Sequence, residues 1–167
     1  MNAIIFYGDK NDDKIKNAIV RALSNYNKLN SISLYEYEDI ADSVNILNKS
    51  GIFVFKNSSS DKQVIIPKGF IAVFSDINLD AISKLEKLDI PAVSCGMSSK
   101  DTISVSSIDD YSVMISIQRE ILLFSGEKIE PHDFCVFLKE KLDIYPLLVA
   151  SLTLILSDVS TQDKYLF

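Results

Sequence analysis

Apolar and polar residues alternate along the first half of the chain in blocks that predict strands and helices in turn. Short apolar runs at 2–7, 52–55 and 69–74 are typical of strands that are buried on both faces. Apolar residues recur at helical spacing over about 15–27 and 79–88. This order predicts a largely parallel sheet with helices on its faces.

Weaker signals fill the rest of the first half. Residues 32–35 and 90–94 are expected to be strands, and 63–66 a short edge strand. Residues 39–48 are ambiguous and are interpreted as a short helix closed by Gly51.

The second half changes to a period of two, which is typical of antiparallel strands. Residues 112–117 alternate strictly, and 121–124 continue the extended pattern to a turn at 125–127. A return strand is expected next, although 134–142 is equally compatible with a helix. We therefore expect an antiparallel extension of the sheet in the C-terminal half.

The last apolar run, 144–156, predicts a helix that is buried on all sides, with Asp143 as its candidate N-cap. It is too short to cross a bilayer, which needs about 20 residues. The predicted organisation is one three-layer, Rossmann-like or P-loop-like α/β domain over 1–158, followed by a C-terminal tail at 159–167.

Composition and charge narrow the class of protein. The 167 residues are 47% hydrophobic and carry a formal net charge of −6, which is typical of one globular domain and not of a disordered chain. Arg21 and Arg119 are the only arginines, and no basic cluster is present, so nucleic acid is not expected as a partner. The start of the chain lacks the basic segment of a signal peptide, so we expect a cytoplasmic protein with no membrane partner.

Cys95 and Cys135 stand in separate apolar runs, without the paired spacing of a zinc or redox motif. We expect two buried, reduced thiols, with a disulfide between them as the alternative. The single histidine, His132, is expected at the surface or in a helix cap rather than in a catalytic pair with Asp133. Arg119 is expected in a bulge or an ion pair, with ligand binding as the alternative.

The loop after the first strand lies where a phosphate-binding loop would lie in an α/β fold. Gly8 and Lys14 match G-x-x-x-x-G-K-[ST], but Asp13 replaces the second glycine and Ile15 the hydroxyl residue. The Asp13 carboxylate would repel an anion, and Ile15 cannot bind Mg²⁺. We therefore favour a helix-entry loop without nucleotide over retained or altered binding.

Other polar residues follow strand ends. Gly8, Asp76 and Gly96 end predicted strands, and the polar turn 98–101 comes soon afterwards. Ligands of open α/β sheets bind outside the carboxyl ends of the strands, so these residues are expected to surround one crevice.

A strand with Asp76 at its end leads through a helix to a strand ending at Gly96, and further strands follow from 101–105. This order of motifs, over about 1–158, resembles the central ATPase domain of Mur ligases. The segment 143–151 is similar to the family's asparagine-containing helix entry.

The residues that differ from the family pattern include those that bind phosphate and metal in the family. The phosphate loop is degraded, and both asparagines of the 143–151 motif are missing. Lys56 or Asn57 stands where the family carries a metal-binding glutamate, and no segment matches the family's His-rich metal motif. The resemblance therefore implies a stand-alone, catalytically silent relative without catalytic or metal residues.

Three functions follow as hypotheses. The first is a non-catalytic Mur-ligase-like domain that binds another protein or itself. The second is an enzyme that uses ATP and Mg²⁺ through an atypical phosphate loop, with Lys14 on a phosphate and Asp76 on the metal or ribose. In that case Gly8, Lys14, Asp76 and Gly96 are the candidate cofactor-binding residues. The third is a small-molecule sensor or carrier that uses the same crevice.

Overall fold

The computed structural model describes residues 1–40, 49–58, 63–124, 126–159 and 164–167. Nine strands form one sheet, and a short hairpin, three α-helices and two single-turn 3-10 helices (Leu29–Ser31 and Tyr37–Asp39) complete the described fold. The strands of the sheet are β1 Ala3–Tyr7, β2 Ser33–Glu36, β3 Gly51–Phe55, β4 Phe70–Ser75, β5 Ala92–Gly96, β6 Ile103–Ile108, β7 Ser112–Ile117, β10 His132–Phe137 and β11 Lys164–Leu166. The hairpin pairs β8 Ile121–Leu122 with β9 Lys128–Ile129, and the helices are α1 Lys14–Asn25, α2 Leu79–Leu85 and α3 Ile144–Leu156.

The sheet has the strand order β11-β10-β7-β6-β5-β4-β3-β1-β2. Strands β1 to β6 are all parallel, and β7 pairs antiparallel with both β6 and β10. The expected α/β class is therefore confirmed, with a mainly parallel sheet and antiparallel pairing in the C-terminal half.

Two helices cover one face of the sheet, and the third lies on the other. The larger core joins α1 and α3 to alternate residues of the strands, such as Ile4 and Val136, and the smaller core joins α2 to the opposite side chains of β1, β3 and β4. Strands β1 and β3 are buried along their whole length, because both of their faces are covered.

Helix α1 is amphipathic, and helix α3 is not. The apolar residues of α1 fall on one stripe, which packs against α3 and the sheet. Every residue of α3 except Ile144 is buried, as the continuous apolar run predicts. Its buried hydroxyl side chains donate to backbone carbonyls four residues earlier, so Ser151 and Thr153 cause no unsatisfied group.

Some local predictions need correction. Residues 63–66 form no strand, because the backbone N–H of Ile65 donates to the Tyr37 hydroxyl instead of to a neighbouring strand. Leu79 is exposed, although its spacing suggested the buried face of α2. The question left open for 134–142 is settled by β10, which extends to Phe137. The helix expected over 39–48 falls mostly on residues outside the described ones.

The end of the chain belongs to the sheet. Strand β11 pairs parallel with β10, and the side chains of Tyr165 and Phe167 are buried in the larger core. The last part of the segment that the sequence suggested as a tail is therefore packed against the domain.

The strand order fixes where a ligand site is expected. From β1 the chain passes to β2 on one side and then to β3 on the other, so the direction of winding reverses between β1 and β3. In doubly wound sheets the crevice for a ligand opens at such a point, outside the carboxyl ends of the strands.

Candidate functional site

The carboxyl ends of β1, β2 and β3 are filled by a buried ion pair. Lys56, the residue after β3, has a side chain that is 0% exposed, and Glu36 at the end of β2 is 7% exposed. The Lys56 ammonium donates to Glu36 Oε2 at 2.9 Å and to the carbonyl oxygen of Asp9 at 2.9 Å. Lys16, which is partly exposed, lies 3.5 Å from the other oxygen of Glu36. We call Lys56, Glu36 and the Asp9 carbonyl the filled edge.

Gly8 makes this arrangement sterically possible. Its φ is +138°, and a Cβ placed on it would lie 2.7 Å from Cβ of Lys56. A side chain at this position would therefore be strained and would overlap the buried lysine. The predicted ligand-binding glycine lies directly against a side chain of the protein itself.

The loop that follows Gly8 uses its own carboxylates as hydrogen-bond acceptors. Asp9 Oδ1 accepts from the backbone N–H of Asn11 at 2.9 Å, and Asp12 Oδ1 accepts weakly from the backbone N–H of Lys14 at 3.4 Å. The N–H of Asp9 donates to the Ser58 hydroxyl. These N–H groups are of the kind that would bind a phosphate in an intact loop, and here they have internal partners.

Lys14 turns away from the filled edge. Its ammonium donates to Asp143 Oδ2 at 2.9 Å, at the start of α3, and this hydrogen bond raises the pKa of the lysine. Asp143 is the N-cap residue of α3 by position, but its carboxylate makes no capping hydrogen bond. The side chain that the phosphate-loop hypothesis needed is instead held between two helices.

Asp76 and Gly96 lie together at the ends of β4 and β5. A Cβ on Gly96 would lie 2.6 Å from Asp76 Oδ1 and 2.5 Å from Asp101 Oδ2, so two carboxylates converge above this glycine. Asp101 is almost fully buried and accepts from the backbone N–H of Ser98 at 3.1 Å. Burial, reinforced by the negative charges of Asp101 and Asp76, raises the pKa of the neighbouring Cys95 thiol.

The side chain of Asn78 links the filled edge to α2. Asn78 donates to the carbonyl of Lys56 at 2.9 Å and accepts from the N–H of Ala81, which caps α2. Of the four residues predicted for a cofactor, Gly8, Asp76 and Gly96 therefore share the carboxyl edge of the sheet. Lys14 is directed toward α3 instead.

Two neighbouring cavities lie beside Lys14. A groove of about 280 Å³ runs between α1 and the segment before α3, and Lys14 and Asp143 line it. A smaller cavity of about 210 Å³ lies toward the first loop and Asn57, and the same two residues line it as well.

The other residues that the sequence singled out lie away from the carboxyl edge of the sheet or make common local contacts. His132 Nδ1 lies 2.8 Å from the carbonyl oxygen of Glu130, and Glu120 pairs with Lys128. Cys95 and Cys135 are both free, and Cys135 is only half-buried because it points to the face opposite α3. Arg119 lines a separate cavity of about 300 Å³ beside β5.

Two further observations concern only the part of the chain that the structure describes. No described helix has both the length and the apolar character that crossing a bilayer requires. No three or more His, Cys, Asp or Glu residues among those described come together as a set of metal ligands.

Sequence reasoning missed the role of Glu36 and placed Lys56 only as a lost metal ligand. A signal was present, because Glu36 ends β2 after Leu34 and Tyr35, and Lys56 directly follows the apolar strand β3. The sequence could not show that β2 and β3 lie on either side of β1, which brings the two charges together.

The chain matches no protein-family model, and comparison with curated proteins finds no relative.

Proposed function

We propose that this chain is a non-catalytic α/β domain of Mur-ligase-like descent that acts as a binding or interaction module in the cytoplasm. The observation that carries this proposal is the filled edge. At the point where a doubly wound sheet would hold a ligand, the buried Lys56 ammonium and Glu36 carboxylate satisfy one another. A nucleotide phosphate could enter only by displacing a buried, hydrogen-bonded pair, which costs several kcal/mol.

The competing hypothesis, an enzyme that uses ATP and Mg²⁺, needs Lys14 and Asp76 to act on one ligand. Lys14 is paired with Asp143, whereas Asp76 lies against Gly96 and Asp101. The loop carboxylates of Asp9 and Asp12 accept from the N–H groups that a phosphate would use. These contacts favour the non-catalytic function.

Thermal unfolding with and without millimolar Mg·ATP tests this part of the proposal. A ligand present at about 100 times its Kd stabilises the folded state by roughly 2.7 kcal/mol, which would raise the midpoint by several degrees. We expect no rise. A rise that Lys14→Ala and Asp76→Asn each abolish and Arg21→Gln preserves would overturn the proposal in favour of the enzyme.

We assign the interaction surface to an outer patch, defined as Met114, Cys135, Phe137 and Leu166. These side chains point away from α3, on the face of β7, β10 and β11 that is opposite the larger core. Phe137 and Leu166 are 41% and 47% exposed and lie directly opposite each other in the strand register. Adjacent exposed apolar side chains of this kind are typical of a docking surface.

The partner that we assign to the outer patch is a second copy of this chain. Asp133 and Lys164 carry opposite charges on the same sheet face as the patch, and both are exposed. A two-fold axis midway between these residues would bring the carboxylate of one copy toward the ammonium of the other, because a two-fold interface pairs a surface with itself.

Light scattering over a concentration series tests the self-association. We expect the wild type to reach twice the chain mass, and Phe137→Ser combined with Leu166→Ser to remain a monomer. Leu79→Ser is the matched control, because Leu79 is 77% exposed on a different element, and it should leave the dimer intact. A wild type that stays monomeric at all concentrations would contradict this assignment.

A further inference from the structure

The groove between α1 and α3 is lined by three cationic side chains. Lys14, Arg21 and Lys141 line it together with Asn17. The only lining carboxylate among the described residues is that of Asp143. In a chain of net charge −6, this is a local concentration of positive charge.

Two of the three cations already bind a carboxylate. Lys14 Nζ lies 2.9 Å from Asp143 Oδ2, and Arg21 Nη2 lies 2.7 Å from Glu140 Oε2. The guanidinium lowers the pKa of the Glu140 carboxyl through this hydrogen bond. Lys141 has no ion-pair partner among the described residues.

Both internal carboxylates are easy to replace. Asp143 and Glu140 are 66% and 71% exposed, and exposed ion pairs contribute little to stability. A ligand carboxylate could therefore take either place without leaving a buried charge unpaired. The filled edge differs in this respect, because its charges are out of contact with water.

The spacing of Lys14 and Arg21 along α1 indicates an elongated ligand. Lys14 and Arg21 are two helical turns apart on α1 and so face the same way, with about 10 Å between their backbone positions. Apolar side chains of Ala18, Leu142 and Pro146 line the groove with them. The arrangement suits two anionic groups joined by an apolar chain.

We propose that this groove binds a small, elongated dianion, such as a long-chain dicarboxylate. Arg21 and Lys14 hold its two ends, and Lys141 adds a third positive charge to the groove. Asp143 and Glu140 occupy these positions in the absence of ligand and leave when it binds. This site is separate from the filled edge and from the outer patch, so it does not depend on the function proposed above.

Isothermal titration calorimetry at low ionic strength tests the site. The probes are succinate, adipate, azelate and dodecanedioate, with nonanoate as the monoanion of the same length as azelate. We expect azelate to bind most tightly and nonanoate much more weakly, since only a dianion of the right length reaches both cations.

Variants locate the binding. Arg21→Gln should weaken azelate binding about tenfold, because it removes a charge-assisted contact with one carboxylate. Lys141→Gln should weaken it less, because it removes only a nearby positive charge. Asp143→Asn should strengthen it, because it removes the internal competitor of Lys14. Arg119→Gln is the control, since the other arginine of the chain lines a different cavity. Apart from Arg21, the residues changed in these variants are more than half exposed or lie in loops. The fold should therefore be retained, and circular dichroism verifies this.

Two results would overturn the proposal. The first is the absence of saturable binding for every dicarboxylate. The second is binding that does not depend on chain length and falls equally in Arg21→Gln and Arg119→Gln, which would show only general attraction between an anion and positive charge.

Discussion

The filled edge and the α1–α3 groove both consist of paired lysine and acidic side chains, and they differ in burial. Lys56 and Glu36 are enclosed by three strands, whereas Lys14 and Asp143 stay more than half exposed. An enclosed pair is part of the structure, because separating it leaves a buried charge. An exposed pair is exchangeable, because water or a ligand can replace either partner. The expected ligand site therefore holds an ion pair that the fold needs, and the groove beside it holds ion pairs that a ligand can replace.

The largest expected effect comes from breaking the enclosed pair. Glu36→Ala leaves the Lys56 ammonium buried without its carboxylate, and we expect a loss of about 3–5 kcal/mol in the free energy of unfolding. Lys56→Met should cost less, because Glu36 keeps Lys16 as a partner. Urea unfolding measures both. The double change of Lys56→Met with Glu36→Leu should recover much of the loss, since it removes both charges together.

A loss below about 1 kcal/mol for Glu36→Ala would show that water reaches Lys56. The edge would then be open to ligands, and the distinction between the two regions would disappear.

Gly8→Ala should have the next largest effect. The new Cβ would overlap Lys56 in a backbone conformation that alanine rarely adopts, and we expect a loss of about 2–4 kcal/mol. Gly126→Ala is the control, because Gly126 also has a positive φ of +88° but no atom within 4 Å of the added Cβ. It should cost about 1 kcal/mol. Equal losses in the two variants would mean that contact with Lys56 contributes nothing.

Tyr145 connects the two regions, and its removal should have a smaller effect. Its hydroxyl, on the first turn of α3, donates to the Phe55 carbonyl at 2.6 Å, next to Lys56. Tyr145→Phe should cost about 1 kcal/mol in urea unfolding at neutral pH. An unchanged free energy of unfolding would show that this hydrogen bond is not needed to hold α3 against the filled edge.

The same residue predicts a dependence on alkaline pH. Burial raises the pKa of Tyr145 well above its ordinary value, so the folded state keeps a proton that the unfolded state releases. Its contribution is therefore complete below about pH 10 and is lost as the pH rises further, by up to about 1.4 kcal/mol per pH unit. Above about pH 10, the free energy of unfolding of Tyr145→Phe should fall less steeply with pH than that of the wild type. Tyr165, whose pKa burial also raises, remains in both proteins.

The smallest effect is expected in the groove. Lys14→Ala and Asp143→Ala should each leave the free energy of unfolding almost unchanged, because both partners are solvated. Urea unfolding of these variants beside Glu36→Ala compares the exposed pair directly with the enclosed one. A loss of several kcal/mol for Lys14→Ala would contradict the idea of exchangeable partners.

The local pattern of apolar residues was enough to predict much of the sheet. It was not enough to predict which distant residues pair in space. The runs 52–55 and 69–74 and the alternation over 112–117 indicated strands because burial on one or both faces leaves a direct imprint on the sequence. The placement of Gly8, Asp76 and Gly96 at one edge was also expected, since it follows from parallel strand direction.

Contacts between distant segments could not be predicted. The pairing of Lys56 with Glu36 depends on the strand order β2-β1-β3, and the pairing of Lys14 with Asp143 joins residues at opposite ends of the chain. The exposure of Leu79 was missed because spacing alone does not show that α2 is short and covers little of the sheet. The same limit applies to β11, whose three residues carry too little pattern to reveal a strand.

The most direct test of the filled edge is a titration of the ¹⁵N-labelled protein with Mg·ATP, followed through its backbone amide resonances. The account predicts that the amides of Gly8, Asp9, Asn11 and Asn57 do not shift, because the internal pair and the loop carboxylates occupy this edge. Saturable shifts at these amides, at a concentration that leaves Arg119 unaffected, would show that nucleotide enters the edge and would contradict the account.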